Sequence, residues 1–234
     1  MKLFITGSNG YLGRNFIKKV SKKTKIFAVT RKKKNKKIKN VKWLIGNIEK
    51  NWKELKRADI LIHFATVGAT DKYTPMDKTF ELNVIKSTQL LLNAAKNNCK
   101  KWIIISTNKE DKIKKLIKLK KINKFETNEP HYNYSVTKYL FTKICKEVSI
   151  LSKAKCRILK VFQVYGADEA KGRLWPLLKN CAKKNKNLNM TSGKQIYDFI
   201  HIDDVVDGLI DCLNFNKKNK VFPQEWDLAS GKST

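Results

Sequence analysis

Short apolar runs recur along the chain and alternate with longer stretches in which apolar residues return every three or four positions. The runs Lys2–Thr6, Lys25–Val29, Val41–Leu44, Ile60–His63, Trp102–Ser106, Arg157–Phe162 and Trp226–Leu228 read as strands. The periodic stretches, about Leu12–Val20, Asp77–Asn97, Asn133–Ser152, Arg173–Lys184 and Asp203–Leu213, read as helices. In the second of these, Phe80, Val84, Leu90, Leu91 and Ala94 mark a face that belongs against a sheet. Strands that alternate with helices predict an α/β fold with a doubly wound parallel sheet. Two lysine-rich stretches, Arg31–Lys39 and Lys109–Lys124, read as solvated loops or exposed helix faces.

Composition narrows this picture without redirecting it. A chain of 234 residues with 41% apolar content suffices for one good core and a small appended lobe. No run approaches the roughly 20 apolar residues of a membrane span, and the chain enters a strand at once, with nothing that suggests a secretory leader. Five scattered cysteines, never spaced C-x-x-C, fit a reduced, cytoplasmic protein without a thiolate metal site. The net charge of +31 raises nucleic acid as a partner, yet only Arg14, Arg31, Arg57, Arg157 and Arg173 among 51 basic residues are arginine. Nucleic-acid surfaces recruit arginine for bidentate and stacking contacts. A lysine skew beside abundant asparagine and isoleucine is what an AT-rich genome imposes on solvated positions, so nucleic acid is not the expected partner.

The densest chemistry lies at the N-terminus. Thr6-Gly7-Ser8-Asn9-Gly10-Tyr11-Leu12-Gly13 joins the first strand to the first helix. Glycines at this spacing let the backbone turn tightly, admit a pyrophosphate to the main chain, and pack helix on strand. The free N–H groups of the helix start then face the phosphate charge. Further on, Tyr134 and Lys138 in Tyr-Ser-Val-Thr-Lys lie one helical turn apart, on one face. A phenol titrates near 10, and lowering it by about 3 units takes about 4 kcal/mol. One ammonium at about 4 Å supplies roughly that at an effective dielectric near 20. On this reading Lys138 tunes Tyr134 unaided.

Together these motifs resemble the extended branch of the short-chain dehydrogenase/reductase superfamily, the NAD(P)-dependent nucleotide-sugar epimerase/dehydratase family. The resemblance implies a Rossmann-type fold. Residues 1–165 would form the dinucleotide-binding part and 166–234 a partial substrate lobe, interleaved with the core and shortened at its C-terminus. It implies that Tyr134, Lys138 and Thr107 are catalytic, with Lys138 also on the nicotinamide ribose and Ser106 as fallback for Thr107. Cofactor contacts follow for Gly7, Asn9, Gly10, Tyr11, Leu12 and Gly13, for Asn47 and Ile48 where relatives carry Gly-Asp-Ile, and for Phe64 and Ala65 after the fourth strand. His63 is read as a packed histidine without a proton-transfer role. After the second strand, Thr30-Arg31-Lys32-Lys33 offers Arg31 where a carboxylate would clamp the ribose of NAD, so NADP(H) is favoured, with NAD(H) the alternative.

The substrate half resembles the family more loosely. Lys160-x-x-Gln163-x-Tyr165-Gly166 stands for Arg-x-x-Asn-x-Tyr-Gly, and Tyr197 replaces an arginine in the segment Gln195-x-Tyr197-Asp198-Phe199. Thr107, Gln163, Arg173 and Tyr197 are the implied substrate contacts. Asn108 and Lys109 occupy the positions where family dehydratases carry an acid–base pair, which disfavours dehydration. The pattern is similar to the CDP-abequose synthase type of 4-keto-6-deoxyhexose reductase. Keto-sugar reduction is therefore the leading activity, in surface-polysaccharide precursor synthesis. A 4-epimerase with retained NAD and a non-catalytic dinucleotide-binding protein remain as rivals. A homodimer seam through the Asp77 and Asn133 helices suits the family.

Overall fold

A computed structural model describes residues 1–33, 35–70, 73–119, 131–190, 192–215 and 221–233. Seven strands form one parallel sheet: β1 (Lys2–Thr6), β2 (Lys25–Thr30), β3 (Val41–Ile45), β4 (Ile60–His63), β5 (Lys101–Thr107), β6 (Lys155–Val161) and β9 (Gln224–Leu228). Their spatial order is β3-β2-β1-β4-β5-β6-β9. Helices cover both faces, which is why the strands read as near-continuous apolar runs. In β1, Leu3 and Ile5 point to one core, with Phe16 and Ile17 of α1 (Tyr11–Val20) and Val205 and Leu209 of α7 (Ile202–Asp211). Phe4 points to the other, with Leu90, Leu91 and Ala94 of α3 (Ser87–Lys96) and Phe141 and Cys145 of α5 (Tyr132–Leu151).

The chain runs outward from β1 to β3 and then returns to place β4 on the other side of β1. That reversal opens a crevice at the carboxyl ends of β1 and β4, where ligands of open α/β sheets bind. Two short strands, β7 (Gln163–Tyr165) and β8 (Phe199–His201), pair beside the main sheet. From β7, Gln163 and Val164 border the crevice, joined by Arg173 just before α6 (Leu174–Lys183).

Two elements depart from the periodic pattern. The stretch expected as one helix from Asp77 to Asn97 contains α2 (Met76–Phe80), a wider π segment at Glu81–Lys86, and then α3. The π segment buries Asn83 and Val84. Asn83 Oδ1 accepts from Thr66 Oγ1 (3.0 Å) and Val67 N (2.9 Å), and its Nδ2 donates to Val67 O (3.0 Å) and Thr137 Oγ1 (3.1 Å). The lysine-rich stretch from Lys109 is not simply solvated: Glu110–Lys118 forms α4, with Glu110 and Ile113 buried. The rest of that stretch from Lys120 lies outside the described residues. No helix among the described residues is long and apolar enough to cross a membrane, and none of their His, Cys, Asp and Glu side chains cluster as a metal site.

Candidate active site

At the crevice, Gly7 adopts φ +69°, and a Cβ there would lie 2.5 Å from Ala65 N. At Gly13 a Cβ would lie 2.4 Å from Gly7 O. These two glycines thus press the turn against β4 and the helix against the turn. Helix α1 opens on Gly10 with no side-chain cap and no acidic residue in its first turn. Its leading N–H groups are therefore available to an anion, as a dinucleotide pyrophosphate requires.

Around this turn lies a cleft of about 650 Å³, lined by Gly7, Asn9, Gly10, Tyr11, Leu12 and Gly13 at one end. Arg31, Lys32, Asn47 and Ile48 border it from β2 and β3, and Phe64 and Ala65 from β4. The Asn9 side chain knits the glycine turn to the basic loop: its Nδ2 donates to Thr30 Oγ1 (2.6 Å) and Asn35 Oδ1 (3.0 Å). Thr30 Oγ1 also accepts from Lys32 N (3.0 Å). Arg31 stays exposed at the rim. The donors and the close-packed backbone fit a dinucleotide.

His63 sits just beneath, fully buried, with Nδ1 2.7 Å from Thr6 Oγ1 and Nε2 3.0 Å from Ser87 Oγ. Burial, then the Lys138 charge, push its imidazole down to about 3, so it stays neutral and structural.

At the other end of the cleft, Thr107 from the tip of β5 meets Tyr134 and Lys138 from the first turns of α5. Tyr134 and Thr107 share a side-chain hydrogen bond. Lys138 Nζ donates to Ile105 O (2.5 Å) and lies 5.7 Å from the centroid of the Phe141 ring. The expectation that Lys138 lowers Tyr134 is overturned. The phenol is pushed up to about 12, first by burial and then by the Glu110 carboxylate, against the Thr107 hydrogen bond and the Arg173 charge. Lys138 is itself pushed down by burial. Burial dominates because the phenol lies in the interior, where the charged phenolate loses its water, and the Lys138 charge is not among the influences on it.

Gln163 and Arg173 line the substrate side, and Arg173 Nη2 reaches across to Ala69 O (2.8 Å). Tyr197 is not brought to the cleft: it is 48% exposed and packs edge-on against Phe199. Glu110, which the sequence did not flag, stands next to the strand end and helix that carry Thr107, Tyr134 and Lys138. It is fully buried, its Oε1 accepting from Ser106 Oγ and from Thr142 Oγ1 (2.9 Å). The one available signal was the acidic pair Glu110-Asp111 ahead of Ile113 and Ile117, a helix start.

This geometry agrees with comparison to known proteins. The profile of the NAD dependent epimerase/dehydratase family matches residues 3–223. The chain belongs to this family. Among its epimerase/dehydratase relatives, CDP-abequose synthase of Salmonella typhimurium is 26% identical over 238 residues, covering 98% of this chain and 75% of that protein. The bifunctional protein GAL10 of Pachysolen tannophilus is 25% identical over 197 residues, covering 74% of this chain and 29% of that one. Among solved family structures, UDP-glucuronic acid 4-epimerase from Bacillus cereus in complex with NAD superposes with a TM-score of 0.80 at 18% identity, over 100% of this chain and 80% of that one. UDP-glucose 4-epimerase from Thermotoga maritima gives 0.77 at 19%, over 100% and 78%. For this epimerase/dehydratase-family enzyme, those structural likenesses speak to the fold.

Proposed function

We propose that this enzyme reduces a keto group on the sugar of a nucleotide sugar, with NADPH as the preferred reductant, in the synthesis of surface-polysaccharide precursors. The observation that carries the reading is the placing of a buried phenol, Tyr134, with Thr107 at the lining of the dinucleotide cleft. The similarity to CDP-abequose synthase over 98% of this chain supports it, as does the absence of an acid–base pair at Asn108 and Lys109. When bound, the reduced nicotinamide supplies the hydride to the carbonyl carbon. As the C=O π electrons move onto oxygen, Tyr134 gives that oxygen its proton and is left as phenolate, to be re-protonated from solvent. Thr107 hydrogen-bonds the same oxygen and holds the carbonyl in place. Lys138, which lines the cleft one turn further on, is proposed to hold the nicotinamide ribose. Gln163 and Arg173 are proposed to border the sugar and its nucleotide. The test is direct: NADPH oxidation is followed with 4-keto-6-deoxyhexose nucleotides, and no turnover with any of them rejects the reading.

The choice of NADPH rests on Arg31 and Lys32 at the rim, where a 2′-phosphate would lie. Arg31→Ala is expected to weaken NADPH binding about tenfold, the value of a charge-assisted hydrogen bond, and to leave NADH nearly unchanged. Nicotinamide fluorescence titration measures both, and an equal loss for the two dinucleotides contradicts the assignment.

A second copy of the chain is proposed to pack on the faces of α2–α3 and α5, which expose Phe80, Ile85, Leu92 and Leu140. Light scattering is expected to return a dimer mass; a monomer at micromolar concentration rejects the seam.

A further inference from the structure

Next to the strand end and helix that carry Thr107, Tyr134 and Lys138 lies a polar cluster that the proposed chemistry does not use. Glu110 opens α4 with no exposed surface. Its Oε1 accepts from the hydroxyls of Ser106 and Thr142, which are 3.3 Å from each other, and its Oε2 has no hydrogen-bond partner among the described residues. Ser106 directly precedes Thr107 on β5. Thr142 lies one turn beyond Lys138 on the buried face of α5 that carries Tyr134. The carboxyl group is thus wedged between the strand end that presents the substrate hydroxyl and the helix that presents the phenol and the ammonium.

We propose that Glu110 is a positioning residue that keeps Tyr134 in its proton-donating form until a carbonyl oxygen takes up hydride and needs the proton. The proposal rests on the reading of Tyr134 as the proton donor and deepens it. The groups that face Glu110 decide its charge. From α5 these are Tyr134, Lys138 and, deeper, Cys145; from β6 it is Lys160. Lys160 is held by Asp111 of α4 (2.8 Å) and by Glu225 of β9 (3.5 Å), and Glu225 is shared with Lys114 and Lys146. Lys138 is therefore the facing cation with no salt-bridged carboxylate among the described residues, its ammonium resting on the Ile105 carbonyl.

Burial pushes the Glu110 carboxyl up, while the two hydroxyls and the Lys138 and Lys160 charges favour its ionised form. An ionised Glu110 opposes formation of a second anion at Tyr134. The phenol then holds its proton until an alkoxide forms that takes it. A neutral Glu110 removes that opposition and makes phenolate, the form that abstracts protons, easier to reach.

Glu110→Gln keeps two polar atoms for Ser106 and Thr142 and deletes the charge. The chain is labelled with ¹³C at the tyrosine ring carbon that bears oxygen, and the Tyr134 resonance is identified by its loss in Tyr134→Phe. In Glu110→Gln this resonance is expected to move toward phenolate about one pH unit lower than in the unaltered chain, a tenfold gain in phenolate at a given alkaline pH. Glu110→Met, which also deletes the charge at similar length, is expected to shift it the same way, and serves if Glu110→Gln does not fold. Identical Tyr134 titration in the unaltered chain and the folded variant overturns the proposal, as does a shift to higher pH. Neither readout needs turnover, so the idea stands or falls separately from the keto-sugar assignment. Where turnover is measured at saturating substrates, Glu110→Gln is expected to lower the ratio of kcat for reduction to kcat for oxidation of the corresponding alcohol, while the ratio of the two kcat/KM values stays fixed by the equilibrium constant. A purely structural glutamate would slow both alike.

Discussion

Replacement of Tyr134 by Phe is expected to lower the rate of keto-sugar reduction by about 10²–10⁴-fold, the range for loss of a positioned general acid. The ring stays, so the packing of the first turns of α5 is retained, and the hydroxyl that leaves is bonded to Thr107. Dinucleotide affinity should change little, because the glycine turn and the basic rim lie at the opposite end of the cleft. Steady-state rates set beside a nicotinamide fluorescence titration read the two effects apart. Retained turnover would remove Tyr134 from the chemistry. The pH dependence carries a second check. With the phenol held near 12 in the free chain, Tyr134 stays protonated through the neutral range. The reductive rate should therefore show no alkaline limb attributable to it below that value, whereas a phenol tuned to neutrality would give one near pH 7.

Gly7→Ala is expected to have a large structural effect, because clash and backbone strain coincide there. The new Cβ would stand 2.5 Å from Ala65 N, 2.6 Å from Phe64 C and 2.8 Å from Ala65 Cα, all main-chain atoms that have no rotamer to change. The φ of +69° adds its own strain. Left-handed strain of about 1–2 kcal/mol and overpacking of about 1–3 kcal/mol together predict a loss of about 3 kcal/mol. In a chain of this size that lowers Tm by about 10 °C. Dinucleotide binding should disappear with it, since β1 and β4 must part to admit the methyl. Gly193→Ala isolates the strain from the clash: its φ is +70°, yet nothing lies within 4 Å of the added atom. Thermal unfolding of the two variants compares them, and an equal loss in both would show that close approach at Gly7 does not matter.

The parts of this molecule that announce themselves in sequence are those whose physics is local. A strand buried on both faces must be apolar throughout, so β1, β4 and β5 were legible nearly to their ends. A glycine turn has few alternatives when its Cβ positions fall on backbone. Short β7 and β8 were missed because strands of that length carry no period, and they exist only by pairing with each other. The π segment was missed because its signature is a change in helical pitch around Asn83, not in residue type. Glu110 hid in a stretch whose composition argued for solvent, and only the approach of α4 to α5 makes it buried. The same holds for the proton affinity of Tyr134. The spacing to Lys138 is visible in the chain, but the burial that pushes the phenol up is a property of the assembled interior.

The amide of Asn83 has a mechanical consequence. It clasps Thr66 and Val67, which follow the cofactor wall, and Thr137, which sits between Tyr134 and Lys138 on α5. A side chain tied at both ends braces the loop after β4 against the helix that carries Tyr134 and Lys138. The same loop is fastened from across the cleft, where Arg173 just ahead of α6 donates to Ala69 O. Three walls of the cleft thus converge on one short segment, Thr66–Ala69, as a vault's ribs meet at a keystone.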